Sequence, residues 1–390
     1  MSWKNIILCF VLATSFYRCK EIKKVNNASI RSPRGDINVV FLLDHAGKPA
    51  YLVYHKQKLV VDTSYLGFNF KDQPPLAANL EIESTSLSTK DENWETVWGE
   101  DRKIRNSYNQ LKVFLKETSK PNRNLNIIFR VFKDGLGFRY EFPDQSGLKE
   151  LVITDELTQF KMTGDHMSWW IPADYDSYEY LYSSSLLSEI DANKYAANKL
   201  ASPSIKENNA SHTPLTMRTE DSLFLSIHEA NLTNYPSMTL RVEPQNVLVC
   251  SLVPAPDGSK AKVSTPFQTP WRTLQIAERA GSLIESKLIL NLNEPNKIED
   301  VSWIQPMKYM GIWSAMHLQK FDWKLGPKHG VDTKNTLRYI DFAAKHNIPG
   351  LLVEGWNVGW ESWGSDDQSE GFDFTTPYKD FDIEKIVTYG

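Results

Sequence analysis

Between about residue 30 and residue 292 the apolar positions recur every second residue, in short runs separated by clusters of Pro, Gly, Asn and Asp. That period is the mark of strands. In Leu125–Phe142, Ile127, Phe129 and Val131 alternate up to Asp134-Gly135, and Phe138, Tyr140 and Phe142 alternate with Arg139 and Glu141 after it. The spacing predicts two half-buried strands around a tight turn. Val39–Leu43 and Tyr51–Tyr54, joined by Asp44-His45-Ala46-Gly47-Lys48-Pro49, predict another hairpin. Similar runs at Leu223–Ile227, Met238–Val242, Val247–Val253 and Leu283–Leu292 read as further strands. Leu186–Lys206 breaks the pattern and reads as either a short helix or a long loop. Many strands with no long helical period between them predict a β-sandwich.

Past residue 306 the pattern changes. Tyr309–Trp313 is a short apolar run, and Asp332–His346 carries Leu337, Ile340 and Ala344 on one helical face. Asp332 or Thr333 fits the N-cap of that helix, and Asn347 with Pro349 closes it. Gly350–Val353 reads as a short buried strand, followed by a loop with Trp356, Trp360 and Trp363, and then by a helix over Asp382–Tyr389. Strand, helix, strand, loop, helix is the opening of a βαβα series. Glu354 then falls where a parallel strand ends and its loop begins, the edge at which α/β barrels place their chemistry.

Composition narrows the function classes. A chain of 390 residues with 41% hydrophobic and 24% charged residues has enough material for two globular domains. A net charge of -4 gives no reason to expect nucleic acid or an anionic membrane surface as partner. Residues 1–19 read as a signal peptide, with Lys4 ahead of the apolar stretch Ile6–Thr14, so the mature protein is expected in the periplasm or cell envelope. Cys19 is either a lipid-anchored N-terminus or simply lies at the cleavage boundary, where Arg18 departs from the small residue that lipidation sites prefer. Without Cys9, only Cys19 and Cys250 remain, too few for a disulfide framework. The sequence has no phosphate loop, no Gly-x-Ser-x-Gly elbow and no CxxC pair. Its twelve tryptophans read mostly as core or interface packing, with stacking on the apolar face of a sugar ring as the alternative for any one of them.

Nine motifs in order, SPRGDINVVFLLDHAGKPAY, VWGEDRKIRNSYN, DGLGFRYEFP, WWIPADYDSYEY, IHEANLTNYPSM, TPWRTLQI, LNLNEP, KYMGIW and LLVEGWNVGWESW, span nearly the whole mature chain. Together they resemble glycoside hydrolase family 97, in particular its inverting α-glucosidases acting on starch oligosaccharides. The resemblance implies an N-terminal β super-sandwich, here residues 28–296, a linker over 297–306, and a (β/α)8 TIM barrel begun by 307–390 and truncated after roughly two of its units. It implies dependence on Ca2+ and an α-linked oligosaccharide as substrate.

The family's site residues carry over at three positions. Glu179, in YDSYEY, matches a glutamate that reaches from the sandwich into the barrel mouth as one of several carboxylate ligands of calcium. Trp313, in GIW, matches a substrate-contacting tryptophan, and Glu354, in VEGWN, a glutamate that hydrogen-bonds the sugar. Without the family, Glu179 would be an exposed loop carboxylate, Trp313 a core aromatic and Glu354 a buried acid paired with Arg or Lys. The acid and base of the family's inverting members fall on later barrel strands, so no catalytic residue is assigned before Gly390. His228 and Glu229 sit next to each other on a strand, point to opposite faces and are read as structural. Asp165 and His166 are near Glu179 in sequence and have no assigned role, while Glu361, Asp366 and Asp367 are either solvated loop charges or sugar contacts. Two other readings stay open: a retaining α-galactosidase of the same family, and a carbohydrate-binding protein without catalysis.

Overall fold

The computed structural model describes residues 26–145, 148–195, 204–362 and 371–390. The leader with Cys19, residues Asp366 and Asp367, Trp363 and part of the Leu186–Lys206 segment lie outside the described residues. The chain divides into two compact units, Met1–Pro295 and Asn296–Gly390.

The first unit is built on antiparallel sheets. One has eight strands, in the order Asn27–Arg31, Ile37–Leu43, Pro49–His55, Lys58–Tyr65, Gln159–Met162, Val247–Leu252, Met238–Glu243 and Ala210–His212. A second has ten, running from Ser183–Leu186 through Met167–Trp170, Leu215–Arg218, Phe224–Ala230, Trp271–Ala277, Gly135–Phe142, Asn124–Phe132 and Lys103–Glu117 to Leu80–Glu95, with Phe267–Gln268 beside Gly135–Phe142. A three-stranded sheet joins Ala261–Ser264, Glu150–Glu156 and Phe68–Phe70. The predicted hairpins form. Ile37 pairs with His55 through Leu43 with Pro49, and Asp44 Oδ1 fixes the turn by accepting from Ala46 N and Lys48 N at 2.8 and 2.9 Å. One continuous apolar core includes Phe41 and Tyr51 from the eight-stranded sheet and Phe129, Phe138, Tyr140 and Phe142 from the ten-stranded one. Tyr51 and Phe138 are 4.9 Å apart between centroids, and Phe68 meets Tyr140 edge-on at 4.6 Å.

Two expectations fail here for one physical reason. Leu283–Leu292 is not a strand but two short helices, Gly281–Glu285 and Leu288–Leu292, and Leu288 and Leu292, one helical turn apart, press onto the ten-stranded sheet against Tyr108, Ile128, Phe132 and Trp271. The Leu125–Phe142 hairpin is therefore covered on both faces rather than half-buried. Arg139 is buried there with its guanidinium 4.4 Å from the Trp271 ring centroid, and burial together with neighbouring Arg130 brings its pKa down to about 10. Leu186–Lys206 begins as two 3-10 turns, Leu187–Glu189 and Ala192–Tyr195.

A buried charge network links the sheets. Arg272 is the cross-strand partner of Glu229 and donates to its Oε2 at 2.7 Å, while its Nε and Nη2 grip both oxygens of Glu156 at 2.8 and 2.7 Å. Thr158 and Tyr235 also donate to Glu156, and the backbone N–H of Met238 donates to Glu229. Glu229 is thus structural, as is His228, whose Nδ1 lies 3.0 Å from Thr213 Oγ1. Cys250 is free and buried beside this network.

The second unit opens with a parallel pair of strands, Tyr309–Ile312 and Gly350–Val353. The helix Thr333–Lys345 connects them, and Asp332 caps it by accepting from Asn335 N at 2.7 Å. Its inward face carries Leu337 and Ile340, but Ala343 is buried and Ala344 is exposed, a rotation of one residue from the expected face. A helix over Ile383–Tyr389, capped by Asp382, packs Ile386 into the small core with Ile312, Met316, Val331 and Phe381.

Candidate functional site

The parallel register sets Ile312 opposite Val353, so the next residue on each strand, Trp313 and Glu354, leaves the same end of the pair. The chain turns immediately after Trp313 into a short helix, Ser314–His317, whose N–H groups at Met316 and His317 bond to the Trp313 carbonyl at 3.0 and 3.2 Å. That turn keeps the indole out of the core. Trp313 is 40% exposed, and its Nε1 lies 2.1 Å from where a Cβ on residue 311 would stand, so Gly311 is required for the ring to fold back over the strand. The core-aromatic alternative for Trp313 is therefore dropped.

From Trp313 an aromatic row continues along this end of the unit. His317 meets Trp313 and Trp323 edge-on at 5.3 and 5.2 Å, Trp323 stacks on Trp360 at 6.0 Å with 12° between planes, and Trp360 meets Phe372 at 5.2 Å. The row joins the loops that follow both strands. Trp356, by contrast, turns inward and packs on Phe381 at 6.0 Å.

Glu354, one residue before the Gly355 that packs against Trp323, is half-buried and makes no ion pair or side-chain hydrogen bond among the described residues. No Arg or Lys pairs with it among the described residues. Several other carboxylates of the unit are engaged: Asp332 and Asp382 cap helices, Asp341 accepts from Tyr389, and Asp373 closes a turn with Thr375 and Thr376. Glu361 is not simply solvated. Its Oε2 accepts from the Tyr378 hydroxyl at 2.6 Å and its Oε1 from Leu325 N at 3.4 Å. Burial works to raise the Glu361 pKa, but the tyrosine hydroxyl and nearby backbone N–H groups outweigh it and hold the carboxyl below its ordinary value. Burial and the same carboxylate push Tyr378 up to about 12.

The first unit places Glu179 on the loop that follows Met167–Trp170. This loop is anchored at several points around Asp174, a fully buried acid. Its Oδ1 accepts from Asp176 N and Ser204 N, its Oδ2 from the Tyr180 hydroxyl, and its carbonyl oxygen contacts His212 Nε2. Tyr178 stacks on His212 at 4.0 Å, and Glu179 N donates to Ser177 Oγ at 3.0 Å. With both neighbours held, the Glu179 carboxylate is directed outward and exposed. Asp165 is spent elsewhere, accepting from Ser188 N and Oγ, and His166 is buried with neither ring nitrogen bonded among the described residues.

No group of three or more His, Cys, Asp or Glu able to hold a metal forms among the described residues. Glu179 therefore offers one hard oxygen donor, not a calcium site by itself. Sequence reasoning missed Trp323 and His317; only the tryptophan count hinted at the first, and nothing in local spacing marked the second.

Comparisons with known proteins fit this geometry. The description "Glycosyl-hydrolase 97 N-terminal" matches residues 30–295 and "Glycoside hydrolase 97" matches residues 313–390. A glycoside hydrolase family 97 enzyme from Pseudoalteromonas sp. strain K8, solved with acarbose and, as an E480Q variant, with panose, is 38% identical, with a TM-score of 0.81 over 93% of this chain and 52% of its own. The retaining alpha-galactosidase of Bacteroides thetaiotaomicron is 22% identical over 98% of this chain and 56% of its own length. A probable retaining alpha-galactosidase of Streptomyces bingchenggensis is 25% identical over 61% of this chain and 32% of its own. The chain thus spans at most about half the length of these relatives. With one family model covering the sheets of the first unit and another starting at Trp313, the chain belongs to glycoside hydrolase family 97.

Proposed function

We propose that the full gene product is an α-glucosidase that hydrolyses α-glucan oligosaccharides with inversion and needs Ca2+. The observation that carries this reading is the 38% identity, over 93% of the chain, to an enzyme solved with acarbose and panose, the latter built of α-linked glucose. In this reading the parallel pair and its helices are the first units of a (β/α)8 barrel, and the C-terminal strand ends form part of its mouth. Trp313 lays an indole face against the apolar side of a glucose ring, and Glu354, with no competing partner, accepts from sugar hydroxyls.

Inverting hydrolysis uses a general acid and a base carboxylate ~6.5 to 9.5 Å apart, with a water between base and anomeric carbon. Glu354 takes neither role here: it binds and orients. Glu179 supplies one oxygen ligand to calcium, which when bound would polarise and position substrate oxygens. Residues 1–19 direct export to the periplasm or cell envelope, which N-terminal sequencing of the secreted protein checks.

The second reading, a retaining α-galactosidase, is favoured by the names of the two curated relatives at 22% and 25% identity. Initial rates of the full gene product on maltotriose, panose and p-nitrophenyl α-galactoside separate the two. Turnover of the glucosides supports the first reading, and turnover confined to the galactoside replaces it with the second.

A further inference from the structure

The residue after Glu354 is held by a buried histidine that the sugar-binding reading does not use. His329 is 5% exposed, its Nε2 lies 2.9 Å from the carbonyl oxygen of Gly355, and its Nδ1 lies 2.8 Å from Asp380 Oδ2. Both ring edges thus face acceptors, one on the loop of Glu354 and one on the segment before the last helix. Tyr378 closes over the imidazole edge-on at 5.2 Å. Its backbone N–H donates to the Trp356 carbonyl at 2.8 Å, and Val358 N donates to Thr376 O at 3.0 Å. Asp380 is itself fixed, because its carbonyl accepts from both Thr333 N and Thr333 Oγ1 at the start of the connecting helix.

Glu354 therefore sits between two clamped points. Before it, Val353 is paired with Ile312; after it, the Gly355 carbonyl is held by His329. Gly355 has φ +91°, and a Cβ there would stand 3.2 Å from Trp323 Cδ1 and 3.3 Å from Val331 Cγ2, so this peptide has one well-packed arrangement. A carboxylate with no bond of its own needs such a backbone if it is to meet a sugar hydroxyl without being ordered at the moment of binding.

We propose that His329, oriented by Asp380, is a positioning residue that holds Glu354 in its sugar-binding geometry by fixing the Gly355 carbonyl. The proposal rests on the reading of Glu354 as a sugar contact. It does not make His329 a catalytic residue, since the imidazole is buried behind the loop and both of its nitrogens are engaged.

The test is a double-mutant cycle on the full gene product, with maltotriose as substrate and thermal unfolding alongside. His329→Gln and Glu354→Gln are each expected to raise KM about five- to tenfold, as the loss of a hydrogen bond to a charged group would, with kcat changed by less than about threefold. In the Glu354→Gln background, His329→Gln is expected to add less than about twofold, because the group it positions is already altered. Equal factors for His329→Gln in both backgrounds, or an unchanged KM in a folded His329→Gln protein, overturn the proposal alone. An unchanged KM in Glu354→Gln overturns the sugar-contact reading and the proposal with it. If His329→Gln does not fold, Asp380→Asn, which leaves the imidazole in place, carries the same cycle with the same outcomes.

Discussion

Arg272 serves two carboxylates unequally. Glu156 receives two parallel N–H bonds from it and further bonds from Thr158 and Tyr235, whereas Glu229 receives one N–H bond from the guanidinium and one from the backbone. Burial raises both, but at Glu156 the Arg272 charge and the donated bonds win and the pKa is lowered; at Glu229 burial wins and the pKa is raised. The contribution of Glu156 is therefore present above its unfolded pKa and is lost as the pH falls through its lower folded pKa. Glu229 has the opposite sign, since the fold favours its neutral form and loses stability as the pH rises from the unfolded to the folded pKa. Glu156→Gln should cost about 3 to 5 kcal/mol at pH 7 and progressively less below pH ~4. Glu229→Gln should cost less than that at pH 7, and more near pH ~4 than at pH 7. Urea unfolding of the three proteins at both pH values measures this, and costs that move together contradict the division between the carboxylates. At the C-terminal end of the parallel strand pair, Trp313→Ala should weaken oligosaccharide binding by ~1 to 3 kcal/mol with little change in Tm, because the ring is 40% exposed. Calorimetric titration with maltotriose checks it, and a large fall in Tm with unchanged affinity would return the ring to a packing role. The strand-end positions of Trp313 and Glu354 were legible from the apolar runs that precede them. His329 and Asp380 were not, since 51 residues separate them and only folding brings them into contact.

Local chemistry fixed most elements well. Period-two alternation located the hairpins, and the Asp332 cap with a 3.6-residue apolar face located the connecting helix, apart from a shift from Ala344 to Ala343. Removing the cap bond in Asp332→Ala should destabilise the helix by ~1 kcal/mol and speed amide exchange in its first turn while leaving the sheets of the first unit unchanged. Hydrogen exchange with mass spectrometry resolves this, and unchanged exchange over 333–337 would show the cap to be idle. Leu283–Leu292 misled because its dense apolar residues suit a strand as well as a helix. The tertiary surface decided between them: Leu288 and Leu292 are buried on the sheet one turn apart, while Ile284 is left 81% exposed.

At the scale of the whole molecule, sheet order was not legible. Gln159–Met162 inserts between Lys58–Tyr65 and Val247–Leu252, neighbours more than eighty residues away in sequence, and no local pattern encodes such pairings. The division into a β unit and a βα unit was readable from the change of period, because each period requires a different packing partner. Glu179 ties the proposed calcium to the first of these units. On the full gene product, a chelator should abolish hydrolysis and added Ca2+ restore it, and Glu179→Gln should raise the Ca2+ needed for half-activity by removing a charged ligand. Activity indifferent to the chelator would remove calcium from the account, and an unshifted requirement in the variant would remove Glu179.

The most direct test of the central claim is the anomer first released, followed by proton NMR as the full gene product hydrolyses maltotriose in the presence of Ca2+. Water attacking from the face opposite the departing oxygen inverts the anomeric centre, so β-glucose should appear first, with the α-anomer growing in only as mutarotation proceeds. Initial α-glucose, or release of α-galactose from an α-galactoside with no turnover of maltotriose, would contradict the assignment as an inverting α-glucosidase.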